Sequence, residues 1–182
     1  MKERILLIGP QGAGKSSQGK LLAEFLQVPL ISTGDILRNL AEGGTESGKE
    51  LGKIMTNGGL IDDKIISQIV QQRLAQPDCR DGFIMDGYPR TLNQIEYFDP
   101  LFNQVFYLKL SDEEATGRLL KRGRIDDTEE AIVQRLKIYH TETDPIIDYY
   151  NRQNLVSVID GTGTIEQVQQ RMREALNGQS QK

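Results

Sequence analysis

The sequence predicts an α/β fold of three layers, α/β/α, with a five-stranded parallel sheet at the centre. Three observations carry this. Short apolar runs alternate with stretches whose apolar residues recur at helical spacing. The first run, Arg4-Ile5-Leu6-Leu7-Ile8, enters Gly9-Pro10-Gln11-Gly12-Ala13-Gly14-Lys15-Ser16, and helical spacing follows at Leu21, Leu22, Phe25 and Leu26. A later run, Phe83-Ile84-Met85, ends on Asp86. Strand, glycine loop and helix in that order are the setting that G-x-x-x-x-G-K-[ST], the phosphate-binding loop (P-loop), requires.

Taken in order, residues 4–9, 29–31, 83–86, 104–110 and 155–159 read as strands, with helical patterns between them. Such alternation implies parallel strands covered on both faces. Ser111 with Glu114, and Thr164 with Gln167, fit capping boxes that open two helices. Asp144-Pro145 reads as the end of one helix and the start of another, with Pro145 in the tolerated first turn. Two stretches break the rhythm. Residues 32–61 carry helical segments separated by Gly43-Gly44, Gly48 and Gly58-Gly59, and residues 123–127 are short and polar between two helices. Ligands of open parallel sheets bind beyond the carboxyl ends of the strands, where both interruptions can fold over them.

At 182 residues the chain is expected to form one domain over residues 1–182, with residues 32–61 and 123–127 as small subdomains. A net charge of -4 argues against a nucleic-acid partner. No apolar run approaches the ~18 residues of a membrane span, and no long apolar signal segment opens the chain. Cys79 and His140 are single representatives of their types, which excludes an internal disulfide and argues against a zinc site. The expected setting is a reducing cytoplasm, and nothing in the sequence demands more than a monomer.

The residue types at the loop follow from its chemistry. Glycines let the backbone N–H groups converge on one anion, and the new helix presents its positive end to the same anion. Lys15 reaches outer phosphates, and a hydroxyl of Ser16 or Ser17 can meet Mg²⁺. The bland alternative is a glycine-rich turn with a chance lysine. Asp86 sits where phosphate-loop enzymes hold Mg²⁺, directly or through water, although it could instead cap the next helix. Gly87, Tyr88 and Pro89 form a tight turn leading to Arg90. Arg118 and Arg122 share a helical face, Arg124 follows, and Arg135 lies one helix further on. Any one of these could be surface, and Glu114 could pair with Arg118. As a set they suit a polyphosphate, because phosphoryl transfer needs dispersed positive charge around the equatorial oxygens. Ser32-Thr33-Gly34-Asp35-Ile36-Leu37-Arg38 is weaker, since Thr33 and Asp35 could be an ordinary helix start. Gln94 is ambiguous too, because Thr91-x-x-Gln94 is itself a capping-box pattern.

Together these stretches resemble the adenylate kinase family of nucleoside monophosphate kinases, over nearly the whole chain from Arg4 to about Leu176. The resemblance rests on GPQGAGKSSQG, TGDILR, DGYPRTLNQ, RLLKRGRIDD and RLKIYHTETDPIIDYY in that order. It implies the reaction Mg²⁺·ATP + AMP ⇌ 2 ADP, with Mg²⁺ as cofactor. It implies that Gly12, Ala13, Gly14, Lys15, Ser16 and Ser17 hold the ATP phosphates. Arg118 and Arg122 would face ATP, and Gly163 would pass near its adenine. Thr33, Arg38, Gly59, Leu60, Ile61, Gly87, Tyr88, Pro89, Arg90 and Gln94 would surround AMP. Arg124 and Arg135 would bridge the nucleotides, and Lys15, Arg90, Arg122, Arg124 and Arg135 would carry the catalysis. Residues 32–61 match the AMP-binding flap and 123–127 the lid. The chain departs from the family in having Ser16-Ser17 where Gly-Thr is usual, and in a lid shorter than the family's short lids. A zinc-binding lid is absent. A kinase for UMP or CMP is the nearest alternative, opposed within the family by Thr33 and Gln94. A non-catalytic nucleotide sensor is the alternative from another class, opposed by Lys15, Asp86, Arg90 and the arginine set.

Overall fold

The computed structural model describes residues 3–57, 59–124 and 127–179. The first apolar run forms β1 (Glu3–Ile8), the glycine loop follows, and α1 (Lys15–Leu26) begins at the loop lysine. Next come β2 (Leu30–Ser32), α2 (Thr33–Glu42), α3 (Glu46–Thr56) and α4 (Asp63–Leu74). After β3 (Gly82–Asp86), α5 (Leu92–Tyr97) and β4 (Gln104–Lys109) stand α6 (Asp112–Arg122) and α7 (Glu129–Ile138). The chain closes with α8 (Asp144–Asn151), β5 (Val156–Asp160) and α9 (Ile165–Gln179). The five strands are those expected, with bounds shifted by a residue or so.

All pairings are parallel and the strand order is β2-β3-β1-β4-β5. Every strand therefore ends on the same edge of the sheet. Alternation along β1 divides the core: Leu6 and Ile8 join the cluster of Met85, Tyr88, Val105 and Tyr150, while Ile5 and Leu7 join Leu22, Ile84, Phe106 and Met172 on the other face. A sheet buried on both faces needs the near-continuous apolar strands that the sequence supplies.

The capping expectations are met in different degrees. Thr164 N–H donates to Gln167 Oε1 at 2.9 Å and Gln167 N–H to Thr164 Oγ1 at 3.3 Å, a reciprocal box. Ser111 Oγ accepts from Glu114 N–H at 3.2 Å, but the Glu114 carboxylate returns to the serine hydroxyl, not to its backbone. One expectation needs correction. Gly48 does not separate helices; it lies within α3, where a Cβ would stand 2.3 Å from the Leu40 carbonyl, so it permits the close crossing of α2 and α3. The helix start expected at Asp144-Pro145 is there, since α8 begins at Asp144. A π-turn, Tyr139–Thr143, joins α7 to α8, and Pro145 sits in the first turn of α8, where its missing N–H has no partner to lose.

Candidate active site

The carboxyl edge of the sheet opens into one cleft of about 360 Å³, and the residues singled out from sequence meet there from four strand ends. Its floor begins at the glycine loop. Gly12 takes φ +88°, and a Cβ there would lie 2.6 Å from the Ala115 carbonyl of α6, so only glycine lets the loop pass under that helix. Lys15 folds back on the loop, its Nζ donating to the carbonyls of Gly9 at 2.7 Å and Pro10 at 2.8 Å. Burial lowers its pKa to about 8, Asp86 pulling it up and Arg90 and Arg122 pushing it further down. Ser16 Oγ donates to Asp86 Oδ2 at 2.7 Å, so of the two candidate hydroxyls Ser16 is the one beside the carboxylate.

Across the cleft, Thr33 Oγ1 donates to the Asp86 carbonyl at 3.3 Å, tying the start of α2 to the end of β3. Arg38 pairs with Asp35 one helical turn away. Arg90 is held from three sides. Its Nε donates to the Gly87 carbonyl at 3.0 Å, its backbone N–H to Gln94 Oε1 at 2.7 Å, and its own carbonyl accepts from Thr143 Oγ1 at 3.0 Å. Burial and the neighbouring Arg135 and Arg38 pull its pKa down, against Asp86. A guanidinium loses solvation here for a place among other cations, which is the environment that an anionic ligand would relieve.

The third wall is basic. Asp127, with its side chain fully buried, accepts from Arg122 Nε at 2.8 Å and from its terminal nitrogen at 2.7 Å, a bidentate pair. It also accepts from Arg124 N–H and, at 3.3 Å, from Arg135. Burial alone would raise the Asp127 pKa, but Arg122, the Arg124 N–H and Arg135 together outweigh it and hold the carboxyl below the usual range. Arg135 reaches in the other direction too, donating to the Met55 carbonyl of α3 at 3.2 Å. Arg118 donates to the Gly161 carbonyl at 3.1 Å in place of the Glu114 pairing left open by the sequence.

The cleft thus brings together Gly12, Gly14, Lys15, Ser16, Ser17, Arg118 and Arg122 with Thr33, Arg38, Gly59, Leu60, Ile61, Gly87, Pro89, Arg90, Gln94, Arg124 and Arg135. Three expected residues stand apart from its lining. Ala13 is 2% exposed in the core beneath the loop. Tyr88 is fully buried, its hydroxyl within 2.7 Å of the Gln94 and Phe98 carbonyls. Gly163 lies in the turn after β5, at φ +92° beside Gln167. Of residues 123–127, Ile125 and Asp126 lie outside the described residues, as does Gly58 in the stretch 32–61. Gly123 caps α6 at φ +63°, its N–H on the Leu119 carbonyl. Sequence reasoning missed Asp63, which holds Gln94, and Thr143, which holds Arg90; their partners lie far along the chain, and no local pattern marks them.

Comparison with known proteins places this architecture among named relatives. The family model described as adenylate kinase matches residues 7–155. The adenylate kinase of Thermobifida fusca is 41% identical, over 97% of this chain and 100% of its own. That of Micrococcus luteus is 40% identical over 95% and 90%, and that of Prochlorococcus marinus 39% over 97% and 100%.

Proposed function

From the chain's membership of the adenylate kinase family, we propose how this cleft carries out the family's transfer of a phosphoryl group between ATP and AMP. The chain is a nucleoside monophosphate kinase. Its donor, ATP, lies with its phosphates in the glycine loop, against Lys15, Arg118 and Arg122. Its acceptor, AMP, lies between α2 and the β3 turn, its phosphate facing Arg38 and Arg90. Residues 32–61 act as a flap over AMP and residues 123–127 as a short lid over ATP, all within one domain.

An oxygen of the AMP phosphate attacks the γ-phosphorus in line. The bond from that phosphorus to the β–γ bridging oxygen breaks, and two molecules of ADP leave. A nucleoside monophosphate is already largely deprotonated at neutral pH, so no general base is required. Lys15, Arg90, Arg122, Arg124 and Arg135 stabilise the charge that spreads over the equatorial oxygens. Closure of flap and lid orients the reactants and excludes water, the competing acceptor.

Asp86 and Ser16 offer oxygen ligands 2.7 Å apart at the mouth of the loop, a donor set that suits Mg²⁺, which keeps several waters and binds through few protein oxygens. Bound there with ATP, Mg²⁺ neutralises phosphate charge. Among the described residues no helix is long and apolar enough to cross a membrane.

The observation that carries this reading is that a single cleft joins the loop lysine to Arg38, Arg90 and Arg135. A coupled assay of ADP formation from Mg²⁺·ATP with AMP, CMP or UMP tests it. AMP should be the preferred acceptor by a wide margin. Preference for a pyrimidine monophosphate, or no transfer to any of the three, would overturn it.

A further inference from the structure

We propose that Asp63 is a positioning residue that fixes the direction of the Gln94 carboxamide and, through it, which purine edge the cleft accepts. The proposal rests on the reading of this half of the cleft as the monophosphate site. Asp63 is the first residue of α4, the helix entered directly from the flap. Its carboxylate reaches across to the turn after β3. Oδ2 accepts from Thr91 Oγ1 at 3.0 Å and Oδ1 from Gln94 Nε2 at 2.7 Å. On its other side Gln94 Oε1 accepts from Arg90 N–H at 2.7 Å.

The two neighbours of the amide each have a single role. An ionised carboxylate can only accept, and a backbone N–H can only donate. A carboxamide between them has one orientation that satisfies both. Gln94 is 2% exposed yet borders the cleft, so an amide turned the wrong way could not repair its losses with solvent. Thr91 adds to the constraint, because its hydroxyl oxygen caps α5 by accepting from Gln94 N–H at 3.2 Å. Asp63 therefore holds both the cap and the side chain of the same residue.

With those bonds made, Gln94 keeps one proton on Nε2 and one lone pair on Oε1. Adenine offers an amino donor beside a ring-nitrogen acceptor, which a carboxamide matches bidentately in one direction only. A 6-oxo purine presents a carbonyl in place of the amino group and suits the opposite direction. Fixing the amide thus favours AMP over inosine monophosphate. Because Asp63 opens the helix that leaves the flap, it also ties the position of the flap's exit to the residue beneath the base.

The test compares the wild type with Asp63→Asn, which keeps shape but replaces the charged acceptor on Gln94 Nε2 by a neutral amide that can also turn its donor toward it, and with Gln94→Ala. Steady-state kcat/KM is measured for AMP and for inosine monophosphate at saturating Mg²⁺·ATP. Asp63→Asn should narrow the preference for AMP by at least about fivefold, the low end of what a bidentate amide–base pair discriminates. The loss should lie mainly in KM for AMP, with KM for ATP unchanged. If Gln94→Ala narrows the preference and Asp63→Asn does not, the role of Asp63 is refuted while the site reading stands. If Gln94→Ala leaves KM for AMP unchanged, the site reading fails and the proposal with it. Parallel rises in both KM values with the preference intact would reduce Asp63 to a structural residue and also overturn it. Should Asp63→Asn not fold, the wild type decides by NMR. One Gln94 side-chain amide proton should exchange slowly with solvent in the free protein, and the second should slow on adding AMP. Fast exchange of both in the free protein refutes the proposal.

Discussion

Lys15 keeps its charge in an unfavourable place. Its ammonium is satisfied by two loop carbonyls, yet burial and nearby arginines leave its pKa at about 8 against 10.5 in the unfolded chain. Between those values the unfolded state binds the proton and the folded state does not, so stability rises with pH across that window. Below about pH 8 the penalty is constant, roughly 3 kcal/mol. Lys15→Met should therefore be at least as stable as the wild type at pH 7, and the wild type should gain on it between pH 8 and 10. Its kcat should fall by about a hundredfold to a thousandfold, the usual loss when one donor to a developing oxyanion is removed. Denaturant titrations at pH 7 and pH 10 with initial rates check both halves. A variant that is markedly less stable at pH 7 would make Lys15 a structural residue. Lys15, Asp86 and Arg90 were legible in the sequence because their meaning is local: a loop motif, a strand end, a turn. Asp63 was not, since an aspartate near a helix start looks the same whether it caps, pairs or positions.

Elements carry a second set of consequences. The segment between α6 and α7 is closed by the Arg122–Asp127 pair, with Arg135 on the same carboxylate. Asp127→Asn should leave those cations partly uncompensated at a buried position, costing about 1–3 kcal/mol of stability and slowing transfer more than it changes KM for AMP. The contribution of Asp127, whose folded pKa is depressed, is present above the ordinary carboxylate range and lost as pH falls through the folded value. Thermal melts of wild type and variant should thus converge in acid; a constant gap from pH 7 to pH 3 would contradict the assignment.

The π-turn behaves in the opposite sense. His140 Nδ1 stands 2.9 Å from Asp144 and Nε2 2.9 Å from Asp112 at the start of α6. Asp144 first and Asp112 second raise its pKa above 6.5. Its contribution is full below pH 6.5 and lost as pH rises through the raised value. The pair is half-exposed, so the effect should stay under about 1 kcal/mol. His140→Gln should lower the melting temperature at pH 6 and hardly at all at pH 9, and equal losses at both would remove the charge from the explanation. The sequence placed a helix boundary at Asp144-Pro145 because proline disfavours a continuing α-helix. α8 does begin there, but the π-turn that leads into it was not legible, because it depends on Tyr139 and Thr143 packing inward, which periodicity cannot reveal.

Across the whole molecule, the strand order places the glycine loop beside β4 on one side and β3 on the other. The loop therefore shares one cleft with the β3 turn and with the arginines of α6 and α7. Arg135 joins the two stretches that interrupt the strand–helix alternation, touching Asp127 between α6 and α7 and the Met55 carbonyl of α3. Fold class and strand positions were readable because buried parallel strands leave short apolar runs between helical repeats. That Arg135 joins these two stretches was not, since it depends on how α3 sits over the sheet.

The central claim is that both nucleotides occupy this one cleft at once. It is tested most directly by a molecule carrying two adenosines joined through five phosphates, long enough to fill both halves together. Calorimetry should give one molecule bound per chain. Inhibition should be competitive against both ATP and AMP, and Lys15→Met and Arg90→Ala should each weaken binding. Two molecules bound per chain, or competition with only one of the nucleotides, would show that donor and acceptor do not meet in this cleft.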